Sequence, residues 1–373
     1  MTANPVRKDA VVVHEVAPEV YFGDRHGWDE LVRQSSADAL FMGHAWQSQW
    51  WAAFGPLHEL TPCFLEFRRN DGTVRGRASF FRRRVKIKAL SFQTLEVLGN
   101  LWRGPATFRS EFLDVLAAPE DSHAVAEALR LWLQQDTAWD LMPAVDPAAD
   151  GLLARALEAE SEFDRKRSIE AAATSFEVRI EGKIEDYRAG LSANTRRKMF
   201  GQRRKLQEAV GPVSLSTTQE FGELERLHTL RWGSPLLHSG RQEFLAGLRE
   251  ALPEGALHVS ELRAGSTSVS ALLNACVDGQ RLYNLQGGFD ARACESLSPA
   301  RLHWGLLIEE VFEARTVGCI DLLLGSGRTD DYKQEIARPG RSAITIQVLR
   351  NPMLRIAKRV KSLISAGGQE ASP

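Results

Sequence analysis

The stretch LLLGSGRTDDYKQE, residues 322–335, reads as an apolar strand, a Gly-Ser-Gly turn and a polar segment able to open a helix. Gly325 and Gly327 after a strand match the start of a dinucleotide-binding loop, in which glycines let the backbone approach a pyrophosphate. The third glycine position holds Asp330, with Asp331 beside it. Two carboxylates there would repel phosphate, so a plain strand-to-helix turn is the preferred reading. A better anion site precedes it. In ESLSPARLHWG, Ser298 suits an N-cap and Pro299 the first helical position, which marks a helix start. Free amides and the positive dipole end favour an anion there, and Arg301 adds a cation one turn in. A capped helix without ligand is the alternative. The corresponding helix of the first half opens PEDSHAV, where Glu120 and Asp121 already fill the anion position.

Other residues could bind rather than react. TRRKMFGQRRK carries six cations and no acid. As one helix it would put Arg196, Arg197, Arg203 and Arg204 on adjoining faces, with Met199 and Leu206 turned inward. Such a ridge suits a phosphate, a nucleotide-linked sugar, an acidic polymer or RNA, and a solvated helix face is the bland alternative. Arg231, Trp232 and His238, in LRWGSPLLHSG, fall in a loop suited to lining an acceptor pocket, with His238 a secondary candidate base. Lys333 is a candidate for an anionic substrate or cofactor, against an ordinary surface lysine. Gly287 and Gly288 interrupt a strand and suggest a bulge or a close backbone approach. Cys63, Cys276, Cys294 and Cys319 lack metal-ligand spacing and read as reduced thiols of a cytosolic protein, with no metal expected.

These residues need elements to position them. At 373 residues the chain is long enough for about two domains at roughly 150 residues each. Apolar residues make up 43% and charged residues 25%, which argues against long disorder, and a net charge of -1 leaves no whole-molecule field drawing it to DNA or anionic lipid, so any electrostatic partner must bind a local patch. The N-terminus lacks a signal-peptide core and no run of about 18 apolar residues occurs, so a cytoplasmic protein is expected. The first half offers a hairpin about Asp71-Gly72, strands at LEVLG and EFLDVLA, the helix SHAVAEALRLWLQQD and a strand at WDLMPAV. The second half repeats that order. Residues 256–290 read as a three-strand meander with turns at AGST and DGQ. A helix follows with Trp304, Leu307, Ile308 and Val311 on one face, then the strand CIDLLLG, paired in parallel through the crossover. The expectation is an α+β chain of two similar domains, 1–165 and 166–350, each a mixed, mostly antiparallel sheet with flanking helices. Residues 351–373 form a basic tail whose Met353, Ile356, Val360 and Leu363 alternate with cations, as in an interfacial amphipathic helix; a terminal helix packed on its own domain explains the apolar face equally.

The segments LSANTRRKMFGQRRKLQEAVG, YNLQGGFDARACESLSPARLHWGLL and GCIDLLLGSGRTDDYKQEIA resemble GNAT acyltransferases. More closely they resemble the CelD-like, cellulose-biosynthesis-associated acetyltransferases, cousins of the Fem-type aminoacyl transferases with two GNAT-like domains in tandem. HAWQSQWWAAFG is a weaker match, and the likeness spans about residues 40 to 350. The family commonly has glycine where Ala300 stands, and often an aromatic where Ile336 stands.

The resemblance implies acetyl-CoA or another acyl-CoA as co-substrate, and an amine or hydroxyl acceptor on a cell-envelope saccharide. It assigns the cofactor cradle to Ser298, Pro299, Ala300 and Arg301, and space for the thioester to Gly287 and Gly288. Tyr332 stands where family enzymes often keep the thiolate's proton donor, with a half-buried tyrosine bracing the turn as the alternative, and Asp290, ending the third meander strand, is the candidate base or substrate ligand, against a solvent-facing turn carboxylate. Arg196, Arg197, Arg231, His238 and Lys333 are left as substrate contacts. The first domain is expected to be non-catalytic, and the tail to touch the inner membrane surface. Two rivals stand beside this reading: an aminoacyl-tRNA-dependent transferase, with the arginines on RNA, and a non-catalytic assembly module.

Overall fold

The computed structural model describes residues 11–158, 167–292, 297–325 and 328–358, without the side chains of residues 328–331. By internal packing the chain divides after Ala172 and again after Arg341, so residues 342–358 return to the first unit. The boundary expected near residue 165, Cys294, and the tail beyond residue 358 lie outside the described residues.

In chain order the first unit carries β1 (Val11–Val16), α1 (Pro18–Tyr21), α2 (Arg25–Gln34), α3 (His44–Phe54), β2 (Thr61–Arg69), β3 (Val74–Ile87) and β4 (Leu90–Val97). It continues with β5 (Leu116–Ala117), α4 (Ser122–Gln135), β6 (Leu141–Ala144) and α5 (Leu152–Glu158). β7 (Arg167–Arg179) leads into the second unit, with α6 (Ile184–Ala189), α7 (Ala193–Phe200), α8 (Arg203–Val210), β8 (Val213–Thr218), α9 (Gly222–Trp232) and α10 (Arg241–Ala251). Then come β9 (Leu257–Ala264), β10 (Thr267–Ala275), β11 (Arg281–Phe289), α11 (Pro299–Ala314), β12 (Cys319–Leu324) and α12 (Arg328–Ile336), and β13 (Arg338–Leu349) closes the series.

The first unit's strands follow the order β1-β2-β3-β4-β6-β13, with β5 on β3. Pairing is antiparallel except between β4 and β6, which the α4 crossover joins in parallel. Gly72 makes the β2–β3 turn at φ 85°, a conformation that favours glycine. Against this sheet pack Trp28, Trp46, Trp50, Phe54 and Phe64, all fully buried. Burying an apolar side chain of this size stabilises by roughly 1.5–3 kcal/mol. The segment EFLDVLA yields only the two-residue β5. Its Asp114 instead turns to cap α5, accepting from the amides of Leu152 at 2.9 Å and Leu153 at 2.7 Å. Helix-terminus demand outweighs the strand pattern there.

The second unit's order is β7-β12-β11-β10-β9-β8. β9, β10 and β11 form the antiparallel meander, turning at Gly265 and Gly279, both at positive φ. The α11 crossover then sets β12 parallel to β11. Trp304, Leu307, Ile308 and Val311 face the core with Phe176, Leu282 and Ile320. α7 lies so close on α11 that a Cβ at Gly305 would sit 2.2 Å from the Met199 carbonyl oxygen. The basic stretch is two helices, not one. Met199 joins the α11 core while Leu206 joins a second cluster with Leu262 and Leu302, and the chain bends at Gly201 to serve both.

Candidate active site

The parallel pairing of β11 and β12 covers only Arg281–Tyr283 against Cys319–Asp321. Beyond Tyr283, β11 continues to Phe289 on β10 alone, and its edge toward β12 opens. Register supplies a cause: Leu273 faces Gln286 and Asn274 faces Asn284, which leaves Leu285 as an extra residue. The bulge therefore sits two residues before Gly287, and both glycines lie in regular register opposite Leu272 and Ala271. The close approach is real at Gly288, where a Cβ would meet the His228 amide nitrogen of α9 at 2.3 Å. On that side the glycine admits a helix, not a ligand.

α11 begins at Pro299 with Ser298 as N-cap residue. The Ser298 side chain makes no capping bond; its backbone N–H instead donates to Gln202 Oε1 at 3.1 Å, tying the helix start to the α7–α8 junction. The amides of Ala300 and Arg301 fall in the first turn, where no preceding helical carbonyl can receive them. Arg301 pairs with Glu335 of α12 at 2.6 Å, and its guanidinium carbon lies 5.7 Å from the centre of the Tyr332 ring. Glu335 also accepts from the buried Thr195 hydroxyl at 3.3 Å, and its carboxyl is held below the usual range chiefly by the bond from Arg301.

Tyr332 is half-buried against the α11 core. Burial pushes its hydroxyl pKa up, and the cations of Arg231 and Arg301 offset part of that rise. A phenol so placed stays protonated at neutral pH and can donate its proton. Arg231, in the last turn of α9, is part of the helix rather than of a loop. Its guanidinium carbon lies 4.7 Å from the Phe289 ring centre and 4.4 Å from that of Trp232. Burial lowers its pKa, although a guanidinium remains charged at physiological pH. Asp290 follows Phe289, half-buried, and accepts from the Arg292 amide at 2.8 Å.

The first turn of α11 and α12 thus meet at Tyr332, and the last turn of α9 meets the end of β11 at Phe289. The other candidates lie apart. Lys333 is buried, its ammonium donating to the carbonyls of Leu323 at 3.1 Å and Leu324 at 2.9 Å, so it secures the end of β12. His238 is exposed and contacts Ser239. Arg196 and Arg197 are exposed; Arg196 donates to the carbonyls of Arg188 and Leu191, and Arg197 to Asn194. Sequence reasoning did not find Glu335, Gln202 or His303. His303 of α11 is fully buried between Ser260 and Ser270, 2.9 Å from each hydroxyl, and burial lowers its pKa to about 3. A cavity of about 340 Å³ opens beside α12, lined among others by Tyr187, Leu191, Glu335 and Arg338. Among the described residues no cluster of His, Cys, Asp and Glu is arranged to hold a metal, and no helix is long and apolar enough to cross a membrane.

Residues 193–334 match the family model described as acetyltransferase (GNAT) domain. No curated protein sequence matches the chain. Among solved structures, FemX aligns at 11% identity with a TM-score of 0.55, covering 92% of this chain and 98% of its own. A protein of unknown function from Bacteroides thetaiotaomicron aligns at 10% identity and 0.50, covering 91% and 100%. A tandem GNAT protein from the clavulanic acid biosynthesis pathway aligns at 10% identity and 0.46, covering 92% and 99%.

Proposed function

From a chain that carries a GNAT-type acyltransferase domain, we propose that it moves an acyl group, acetyl in the first instance, from acyl-CoA to an amine or hydroxyl of a cell-envelope saccharide or its precursor. Its relation to the CelD-like acetyltransferases is part of this proposal and rests on the motifs at residues 191–211, 283–307 and 318–337. One observation carries it: on α12 a half-buried tyrosine, its hydroxyl pKa pushed up by burial, has the guanidinium carbon of Arg301 from the first turn of α11 5.7 Å from its ring centre. The residues fit a diphosphate-bearing thioester, since the first turn of α11 offers amides without helical acceptors and Arg301 beside them.

In this reading the amides of Ala300 and Arg301 and the Arg301 guanidinium hold the diphosphate, while the backbone at Gly287 borders the opening. Acyl-CoA, when bound, supplies an activated carbonyl with a thiolate leaving group. Asp290 accepts the proton of the acceptor's nucleophile, and Tyr332 gives its proton to the departing sulfur. Arg231 binds the acceptor. Lys333 and His238 fall outside this set because of their surroundings described above. The first unit is non-catalytic, and the protein works in the cytoplasm with its C-terminal tail against the inner membrane surface. The exposure of Met353 (56%) and Ile356 (62%) favours that contact.

Thermal-shift measurements with acetyl-CoA, longer acyl-CoAs and bare coenzyme A test the reading, because a ligand that binds only the folded state raises Tm. No rise at millimolar concentration would remove the thioester. A second reading, aminoacyl-tRNA-dependent transfer, is favoured by the exposed Arg196, Arg197 and Arg203, and predicts activity lost on ribonuclease treatment and indifferent to acyl-CoA.

A further inference from the structure

The β3–β4 hairpin outruns its neighbours. β2 follows β3 only to the Thr61–Arg82 pair, and β4 meets β6 at Thr94, so residues 85–92 ladder only with one another. Charge changes along this ribbon. At its base Arg82 is paired with Glu15 at 3.0 Å and Asp136 at 3.1 Å, and Arg83 with Glu96 at 2.8 Å. Further out Arg84, Lys86 and Lys88 are exposed, and no ion pair joins them to any described residue. Cross-strand neighbours are neutral there: Arg84 faces Gln93 and Lys86 faces Ser91. Asp140 is engaged by the Gln93 amide and Asn351, at 2.9 and 2.8 Å.

Strand alternation puts Arg84 and Lys86 on one face, while Val85 and Phe92 are buried on the other, which Leu90 shares through its pairing with Ile87; Lys88 lies in the turn itself. The two-residue loop Lys88-Ala89 holds Lys88 at φ 55°, where glycine would be the easier residue. Next to it Leu90 is 52% exposed. With a whole-chain charge of only -1, this is a local basic face with an aliphatic tip.

We propose that this face docks the first unit on an anionic lipid bilayer. The hairpin enters end on: Arg84 and Lys86 remain at the headgroup level, and the tip with Leu90, on the side opposite these cations, enters the acyl boundary. RNA is disfavoured because residues 84–91 present no aromatic ring on which bases could stack. The proposal stands whether or not the chain uses acyl-CoA.

The test is co-sedimentation of the full chain with vesicles of phosphatidylcholine alone or with about one third phosphatidylglycerol. Wild type should bind the anionic vesicles selectively, and less so as salt rises from roughly 0.1 to 0.5 M. A basic residue near an anionic surface strengthens binding by roughly fivefold, so the triple variant Arg84→Gln, Lys86→Gln, Lys88→Gln should lose about a hundredfold with Tm unchanged. Leu90→Ser should weaken binding to a lesser degree at every salt concentration. Equal binding by wild type and triple variant would assign any lipid contact to another surface and overturn the proposal. So would equal binding to both vesicle types. Binding of mixed tRNA that the triple variant loses, without vesicle binding by wild type, would overturn it in favour of nucleic acid.

Discussion

Replacing Arg301 by glutamine should weaken coenzyme A binding, whereas replacing its partner Glu335 by glutamine should not. A charge-assisted hydrogen bond to phosphate contributes about 1.5–3 kcal/mol. Arg301 already shares its charge with Glu335 at 2.6 Å, so the lower end applies. About 1.5 kcal/mol is roughly tenfold in Kd. Glu335 competes with the phosphate for the same guanidinium, but its side chain is 44% exposed, and solvent screening limits the competition to about 0–1 kcal/mol. Glu335→Gln should therefore leave Kd unchanged or tighten it by up to about fivefold. Isothermal titration of both variants with coenzyme A reads the two signs separately. A Kd within twofold of wild type for Arg301→Gln would refute the assignment. Equal weakening by both variants would mean that the ion pair merely holds α12 in position.

Tyr332→Phe keeps the ring against the core and should lower kcat by roughly 100-fold or more while the Kd for coenzyme A moves less than threefold; equal loss in both would deny a proton-donor role. Arg231→Met should raise KM for the acceptor at least tenfold with acyl-CoA binding unchanged, and an unaltered acceptor KM would remove Arg231 from the acceptor site. Gly288→Ala should cost about 1–3 kcal/mol, because the backbone of α9 leaves no room for a methyl; a melting temperature equal to wild type would show the contact to be looser than described. His303 titrates at about 3 in the fold against 6.5 when unfolded, so the unfolded chain binds the extra proton between those values. Stability should then be full above pH 6.5 and fall as pH drops, at up to about 1.4 kcal/mol per pH unit. Parallel acid unfolding curves for wild type and His303→Gln would rule His303 out as the source.

Features set by near neighbours in the chain were legible. Ser298-Pro299 marks the start of α11, the 3.6-residue stripe gives its buried face, and Gly72, Gly265 and Gly279 stand at the expected turns. What needed distant partners was not. Gly288 is fixed by the α9 backbone, Lys333 is drawn inward by the carbonyls at the end of β12, and the helix start is tied to Gln202 from nearly a hundred residues earlier. Glu335 read as one more acid on a polar helix, and only its pairing with Arg301 and Thr195 brings it into the site. The basic stretch looked like one helix because periodicity shows which side is buried, not that Met199 and Leu206 belong to different clusters. The return of residues 342–358 to the first unit left no trace in the sequence pattern either, since β13 reads as one strand on both sides of that division.

The central claim is that the carrier's diphosphate rests on the first turn of α11 with its sulfur beside Tyr332. A crystal structure of the protein grown with coenzyme A tests it most directly. The account predicts phosphate oxygens within hydrogen-bonding distance of the Ala300 or Arg301 amide, and the sulfur within reach of the Tyr332 hydroxyl. Coenzyme A bound elsewhere, or with its sulfur directed away from the opening between β11 and β12, would contradict it.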